Sequence, residues 1–344
     1  MLKCFLPIFD RLKASSFCAV AAVAVALSLS SCINEDTSDC GCDQDITYDM
    51  ALRTNVDTEI SSQLQTQVEQ NFAPQLRKAL ENVFTDYAKS NDLSFYIDGV
   101  RMRHEQNEMN STSAKYTLYL DRNTYDHLAL ANVAEEAEVD VLHGDTLSSM
   151  VLQLEKKDTI DNHGYGLFTA RRRILSTDFD NTTIDVPLYM QNCAAVVLVD
   201  QSEVKADELF GYVDGMTTTF HVQDSLYTTD RQVVTRANLV LPADETTVNT
   251  TQAQTTQETD NKKLAALYAV TFPSTTDEWR FNVIAKVNGE YKKSTLTVHE
   301  SLNAGQLKII KTTLTDDGGL KTKSVNVAVS VSSWQDGNRH DVDL

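Results

Sequence analysis

A short alternating segment and a long apolar stripe open the ordered part of the chain. Residues 46–52 alternate and predict a first strand. From residue 60 apolar side chains then recur at steps of mostly four, which is typical of an amphipathic helix. The stripe consists of Ile60, Leu64, Val68, Phe72, Leu76, Leu80, Val83, Phe84 and Tyr87. Pro74 interrupts it, so we expect a kink or two consecutive helices. The polar face is rich in Gln and Glu rather than Lys and Arg, which favours packing against a sheet over a membrane surface.

Beyond residue 91 the apolar period falls from four to two, which indicates strands. Leu93, Phe95 and Ile97 alternate with polar positions, and Asp98-Gly99 supplies a hairpin turn. Further strands are predicted within residues 116–120, 125–133 and 184–190. The nearly continuous apolar run over residues 194–199 is typical of a strand buried on both faces. We expect a second domain to begin just before it.

The C-terminal half alternates more regularly. Trp279, Phe281 and Val283 are predicted to face one way, and the valines at 325, 327, 329 and 331 repeat the pattern. With further short strands in residues 264–272, 296–298 and 307–314, the chain is predicted to be mainly β, with two β-sandwich domains at 46–191 and 192–344 and a helical segment in the first. Residues 243–263 are rich in Thr, Gln and Asn, which predicts a mobile loop inside the second domain.

The first 31 residues are predicted to be a lipoprotein signal peptide. A positive leader with Lys3, Arg11 and Lys13 precedes an apolar run over residues 17–29 that is too short for a comfortable membrane span. Leu29-Ser30-Ser31-Cys32 resembles the bacterial lipobox, in which the cysteine receives a diacylglycerol. We therefore expect Cys32 to be the lipidated N-terminus, followed by a tether over residues 32–45.

The residues directly after Cys32 are acidic. Ile33-Asn34-Glu35-Asp36 resembles the signal that sends lipoproteins of the Bacteroidetes to the outer cell surface, although a solvated acidic tether is an alternative interpretation. Either interpretation leaves the protein held at a membrane by lipid, without a spanning helix.

Charge and composition narrow the classes of function. The 344 residues include 30 Lys and Arg against 49 Asp and Glu, so the formal net charge is -19. Removal of the leader, whose net charge is about +2, brings the mature charge to about -21. A phosphate backbone would be repelled, so nucleic acid is not an expected partner. The 12 Gly and 5 Pro leave little material for glycine-rich nucleotide-binding loops.

The cysteines leave a choice of disulfides. Cys4 and Cys18 belong to the leader, so Cys40, Cys42 and Cys193 remain after lipidation of Cys32. In an oxidising envelope one of the first two can pair with Cys193. The alternative is that Cys193 is a buried small apolar residue at the edge of a strand. A metal at Cys40-Gly41-Cys42 is weakly supported, because no His or second Cys pair lies at zinc spacing.

No motif of a known catalytic class is present, so neither an enzyme nor a cofactor is predicted. The histidines share no spacing, and we expect each among polar turn or strand residues: His104, His127, His143, His163, His221, His299 and His340. His143-Gly144-Asp145 is the best local ligand pair, although a turn is the preferred interpretation. No carboxylate pair stands in an apolar setting that would raise a pKa. Arg171-Arg172-Arg173 is the one basic cluster, either a site for an acidic partner or a solvated strand end.

Several segments together resemble a known family. Leu302-Asn303-Ala304-Gly305-Gln306-Leu307-Lys308-Ile309-Ile310-Lys311, followed by a valine-rich strand ending at Ser333-Trp334-Gln335-Asp336-Gly337-Asn338, looks like the closing strands of the FimB/Mfa-type fimbrial anchor lipoproteins of Bacteroidales. The lipobox, the tether with Asp39-Cys40-Gly41-Cys42, and the strands over residues 93–99 and 116–120 are similar as well. The long amphipathic segment departs from the family's usual pattern.

The resemblance implies two tandem transthyretin-like β-sandwich domains and a place at the base of a fimbria. Lipid on Cys32 would hold the polymer on the outer membrane and limit its length, with fimbrillin-type subunits as partners joined by β-strand addition. Because the sequence ends shortly after its last strand, we expect an acceptor groove in the first domain rather than a donor strand. Arg53 invites comparison with fimbrillin maturation sites, but a plain strand-end arginine is preferred.

A surface glycan-binding lipoprotein is the alternative function. It would need two or three exposed aromatic residues on one face. Trp279 begins an alternating strand and Trp334 ends one, so we expect both to be core or corner residues.

Overall fold

The computed structural model describes residues 42–142, 145–176, 183–242 and 263–334. Several predicted features lie outside these ranges: the signal peptide, Cys32, Cys40, the His143-Gly144 turn, residues 243–262 of the predicted loop, and His340. None of the described helices has the length and apolar character that a membrane crossing requires.

The amphipathic segment forms two consecutive helices, α1 at Val56–Gln63 and α2 at Gln67–Leu80. The break does not lie at the proline, because Pro74 is inside α2. It lies just before α2, where Thr66 and Glu69 form a capping box that satisfies the first backbone N–H groups of the new helix. The prediction of two helices is confirmed, but its reason was wrong.

Within the described residues, twenty-one strands make up most of the remaining structure. In chain order they are β1 Cys42–Ala51, β2 Ala88–Ile97, β3 Val100–Ser111, β4 Ser113–Leu120, β5 Thr124–Ala131, β6 Val139–Leu142, β7 Val151–Leu154, β8 Thr159–Ile160, β9 Phe168–Leu175, β10 Ile184–Met190, β11 Cys193–Asp200, β12 Glu208–Asp214, β13 Thr219–His221, β14 Leu226–Thr228, β15 Val234–Val240, β16 Leu264–Thr271, β17 Trp279–Val287, β18 Glu290–Val298, β19 Leu307–Leu314, β20 Leu320–Thr322 and β21 Val327–Trp334. The predicted mainly β, sandwich-like fold is confirmed.

The first sheet has seven strands in the order β3-β2-β5-β9-β10-β1-β4. Between β2 and β3, Asp98 and Gly99 both have positive φ, as a two-residue hairpin turn requires. The first strand β1 runs parallel to β10 and antiparallel to β4. Its inward side chains Ile46 and Tyr48 are fully buried with the apolar stripe of α1 and α2, which confirms that the helices pack against a sheet.

The second sheet has ten strands, nine of them in the order β20-β19-β11-β16-β15-β12-β17-β18-β21, with β8 added against β15. At its centre, β11 pairs with β16 and β19, and its residues from Cys193 to Val199 are buried on both faces, as predicted. The last strand is less buried than its valines suggested. It begins at Val327, and Val325 before it is 81% exposed.

A third sheet of four strands, in the order β14-β13-β7-β6, joins strands from both sides of residue 192. It covers the outer face of β2 and β5 with a separate apolar cluster that includes Tyr96, Leu128 and Phe220.

The helices also reach the second half of the chain. The Gln63 amide donates to Leu307 O and accepts from Ile309 N on β19, and Lys311 pairs with Glu69 at 2.9 Å.

Candidate functional site

Two of the three cysteines that were considered for a disulfide, Cys42 and Cys193, lie within the described residues. Cys42 begins β1, where its Sγ accepts from the Gln44 amide at 2.7 Å. Cys193 is fully buried, and its thiol donates to the carbonyl oxygens of Thr271 and Phe272 at 3.6 Å. Burial raises the pKa of the Cys193 thiol. These surroundings suit a small apolar residue. A pairing of Cys40 or Cys42 with Cys193 stays a prediction.

Two histidines are in the interior, contrary to the expectation that all lie among polar residues. His127 is fully buried, and its ring bonds to Tyr48 Oη and to Ser94 O, each at 3.0 Å. Burial lowers its pKa to about 4. His163 is buried against Phe272, and burial lowers its pKa to about 3. Both rings are neutral at physiological pH, and no group of metal-ligating side chains occurs in the described ranges.

Two single carboxylates, which do not form a pair with each other, lie in environments that raise their pKa. Burial raises the pKa of Glu136 and that of Asp214. The Glu136 carboxylate accepts from the backbone N–H groups of Gly164 and Tyr165 at 2.7 and 3.2 Å, so it clamps a loop. Asp214 accepts from the Asn282 amide at 2.8 Å. Both carboxylates are tied into the protein's own hydrogen bonds, as structural groups are.

The strongest candidate for a functional surface is the seam between β3 and β4. These strands are the two edges of the first sheet, and Thr112 alone joins them. The start of β3 is covered, because Arg101 N donates to Asp145 O and Leu147 N donates to Gly99 O, both at 2.8 Å. From residue 103 onwards, no other described strand pairs with the outer edge of either strand.

The seam is bridged by a side chain rather than by a backbone ladder. Arg103 on β3 donates from Nη1 to the carbonyl oxygen of Tyr119 on β4 at 2.6 Å. Edge strands in this state present backbone donors and acceptors that another strand can pair with. The sequence predicted part of β4 at residues 116–120 and the turn before β3, but it predicted no strand over residues 100–111. It also carried no signal for the order of the strands in the sheet, because that order depends on pairings between distant segments.

The tryptophans do not form a binding platform. Trp279 is buried and donates from Nε1 to Glu300 O at 3.0 Å. Trp334 is half-buried in a cluster with Phe210 and Tyr291, and its ring planes meet theirs at 72° and 70°. Rings packed edge to face in this way do not offer a common flat face.

The basic cluster is exposed, but it lies in the middle of a strand rather than at the expected strand end. Arg171, Arg172 and Arg173 lie on β9 next to β5, and Arg171 Nη2 is 3.6 Å from the Asp126 carboxylate. Arg53 follows β1 as a separate exposed side chain, and its guanidinium carbon lies 5.5 Å from the ring centre of Tyr189.

Comparisons with solved structures identify proteins of similar fold. No protein-family model and no curated protein sequence matches the chain. A solved structure of a candidate polysaccharide-binding protein from Bacteroides thetaiotaomicron aligns at a TM-score of 0.51 and 10% identity, covering 86% of this chain and 99% of that one. A candidate adhesin from the same species aligns at 0.51 and 9%, covering 85% and 96%. The fimbrial anchor protein Mfa2 from Porphyromonas gingivalis aligns at 0.45 and 10%, covering 85% and 98%. At these identities the two Bacteroides thetaiotaomicron alignments show a shared fold alone.

Proposed function

We propose that this chain is a fimbrial subunit of the anchor or assembly type, attached to the outer membrane through lipid on Cys32. It holds a fimbria and limits its length by contacting fimbrillin-type subunits through a β-strand. Support comes from the sequence resemblance to fimbrial anchor lipoproteins and from a fold shared with a protein described as a candidate adhesin. The chain acts by binding rather than by catalysis.

The observation that carries the proposal is the open seam between β3 and β4 in the first domain. Backbone pairing along a strand edge gives affinity, while alternate side chains give specificity. Along β3 the side chains alternate between exposed and half-buried positions over all twelve residues. A partner strand laid in the seam would therefore meet one row of accessible side chains on each flank, and the chain would act as the acceptor.

Hydrogen exchange tests this contact. Addition of the partner fimbrillin should slow amide exchange in residues 103–111 and 113–120. The edge strand β20 at Leu320–Thr322 serves as an internal control and should exchange as before. Slower exchange at β20 or β21 alone would place the contact in the other domain and contradict an acceptor site at this seam.

The lipid anchor is tested by substitution of Cys32. Cys32→Ala should move the protein from the membrane fraction to the medium or the soluble envelope fraction, because acyl chains contribute about 0.8 kcal/mol per buried methylene to membrane attachment. Cys18→Ala, a cysteine in the apolar run of the leader, is the matched control and should stay membrane-bound. Unchanged recovery of Cys32→Ala in the membrane fraction would disprove the lipobox.

Deletion of the gene tests the biological role. Cells without the protein should release fimbriae into the medium, and those that remain should be longer than in the parent strain. Fimbriae of normal length that stay firmly attached would contradict an anchor role. The alternative of glycan binding on exposed tryptophans is weakened, since Trp279 lies in the core.

A further inference from the structure

A cleft of about 450 Å³ lies between the outer face of β9 and β10 and the β13–β14 hairpin. Its walls include Arg53, Thr169, Arg171, Tyr189, Ser225 and Tyr227. We infer that this cleft binds an acidic sugar, with the carboxylate of the sugar held by Arg53 and Arg171. The inference is independent of the proposed fimbrial role.

The charge of the cleft is opposite to that of the chain. Three arginines, Arg53, Arg171 and Arg172, line it, and no Asp or Glu does. The whole sequence carries 49 acidic against 30 basic residues, so a cleft whose charged lining residues are all arginines is unusual in this molecule. Low-dielectric walls concentrate the field of such charges, which attracts anions and repels cations.

Arg53 is positioned for a ligand rather than for an ion pair. Its guanidinium lies over the Tyr189 ring at 5.5 Å, and its aliphatic stem runs beside Gly305. No carboxylate forms an ion pair with it among the described residues. A guanidinium stacked on an aromatic face keeps its in-plane N–H donors available, and this planar fork matches a carboxylate.

Arg171 is held in place from the opposite wall. Its Nη1 donates to the carbonyl oxygen of Gln223 at 2.7 Å, which fixes the direction of the side chain. The second contact, with Asp126 at 3.6 Å, is loose, and the two side chains are 44% and 30% exposed. An exposed ion pair of this kind contributes little to the free energy of folding, so a ligand carboxylate can compete with Asp126 for Arg171.

The size of the cleft favours a small ligand, such as a sugar, over a protein surface. Its volume falls within the range of small-molecule sites, whereas protein partners bind to larger and flatter surfaces. Tyr189 is 41% exposed, and Ser225 at the rim presents a hydroxyl in the exposed β13–β14 turn. These groups can contact the ring and hydroxyls of a sugar whose carboxylate is held by the arginines.

Isothermal titration of the purified full chain tests the inference. Trigalacturonate is the probe, galactotriose the neutral counterpart and triglutamate the acidic peptide. Trigalacturonate should bind, and galactotriose should bind at least tenfold more weakly, since each charged hydrogen bond contributes strongly. Binding should weaken as sodium chloride is added.

Two substitutions and one control assign the binding to the cleft. Arg53→Gln and Arg171→Gln should each weaken trigalacturonate binding about tenfold or more. Arg173→Gln, on the same strand but not lining the cleft, should bind as the parent does. Arg53→Gln removes no ion pair from the described protein, so its result stands even if Arg171→Gln unfolds. Equal binding of galactotriose, binding of triglutamate alone, no binding, or equal loss in Arg173→Gln would each overturn the inference.

Discussion

Two buried histidines differ in the hydrogen-bond partners of their rings, and this difference should change what each ring contributes to stability. His127 and His163 are both fully buried, but only His127 has hydrogen-bond partners on both ring nitrogens, Tyr48 and Ser94. Among the described residues, neither ring nitrogen of His163 has a hydrogen-bond partner. A buried polar atom without a partner costs free energy, whereas a satisfied one does not.

His163→Leu is therefore expected to keep or raise the free energy of unfolding at pH 8, since Leu has a similar volume and no polar atom to satisfy. His127→Leu should lower it by about 1 to 3 kcal/mol, because it leaves the buried Tyr48 hydroxyl without its partner. Urea unfolding at pH 8 measures both values. A large loss in His163→Leu would mean that its ring has a partner after all, such as a buried water.

The same histidines should make the protein sensitive to acid. Unfolded histidine takes up a proton near pH 6.5, but burial lowers the folded pKa of His127 to about 4 and that of His163 to about 3. Between these values the unfolded chain binds more protons, so stability falls as the pH drops from 6.5 towards 4.

At pH 5, each buried histidine should reduce the free energy of unfolding by roughly 2 kcal/mol relative to pH 8. Either Leu substitution should remove that share of the pH dependence. The parent chain, measured alongside, is the control. Urea titrations at pH 5, 6, 7 and 8 would show the effect, and slopes in both variants equal to that of the parent would contradict it.

At the scale of elements, α2 shows why the sequence predicted two helices for the wrong reason. Pro74 predicts a break at its own position, but the capping box of Thr66 and Glu69 starts the new helix before it. The core contacts of Phe72 and Leu76 then hold the helix across Pro74. Tertiary packing overrides helix propensity in this way. The Thr-x-x-Glu pattern was present in the sequence and was the better signal.

Pro74→Ala should stabilise the protein, because Pro74 is exposed inside α2 and supplies no backbone N–H to the helix. The gain is expected to be about 1 to 2 kcal/mol, less than the full helix-interior penalty because alanine also loosens the unfolded chain. Thermal or urea unfolding measures it. The exposed Lys78→Ala in the same helix is the control and should change stability by less than about 0.5 kcal/mol. A loss of stability in Pro74→Ala would show that the packing requires the proline geometry.

The sequence predicted where strands lie better than it predicted which segments pack against them. Alternation located β2, and Asp98-Gly99 located its turn. The sequence did not indicate that Tyr96, on the supposedly polar face, is fully buried. It is covered by the third sheet, whose strands come from segments more than 60 residues apart. A local pattern records which side chains alternate, but not which distant segment covers them.

At the scale of the whole molecule, the loop after β8 connects the two halves of the chain. The Asn162 amide donates to Tyr268 O at 2.8 Å, and its oxygen accepts from Val270 N on β16. His163 N donates to Val270 O at 3.1 Å, so the loop continues the pairing of β16 beyond its last pair with β15, Asn238 with Tyr268. The same loop is clamped from the other side by Glu136. These bonds connect segments on both sides of residue 192.

Asn162→Ala should therefore weaken the coupling between the halves as well as the overall stability. It leaves the N–H of the fully buried Val270 without its partner, which is expected to cost about 1 to 3 kcal/mol. Asn238→Ala is the matched control, because that amide is exposed and reaches only the Tyr268 hydroxyl at 3.4 Å. Asn162→Ala should lower the midpoint of urea unfolding. In hydrogen exchange, the amides of β16 should exchange before those of β2 and β5 in this variant. Asn238→Ala should behave as the parent does in both measurements. Equal small effects in the two variants would mean that the helices and the third sheet hold the halves together. The hydrogen bonds of Asn162 would then contribute little to the coupling.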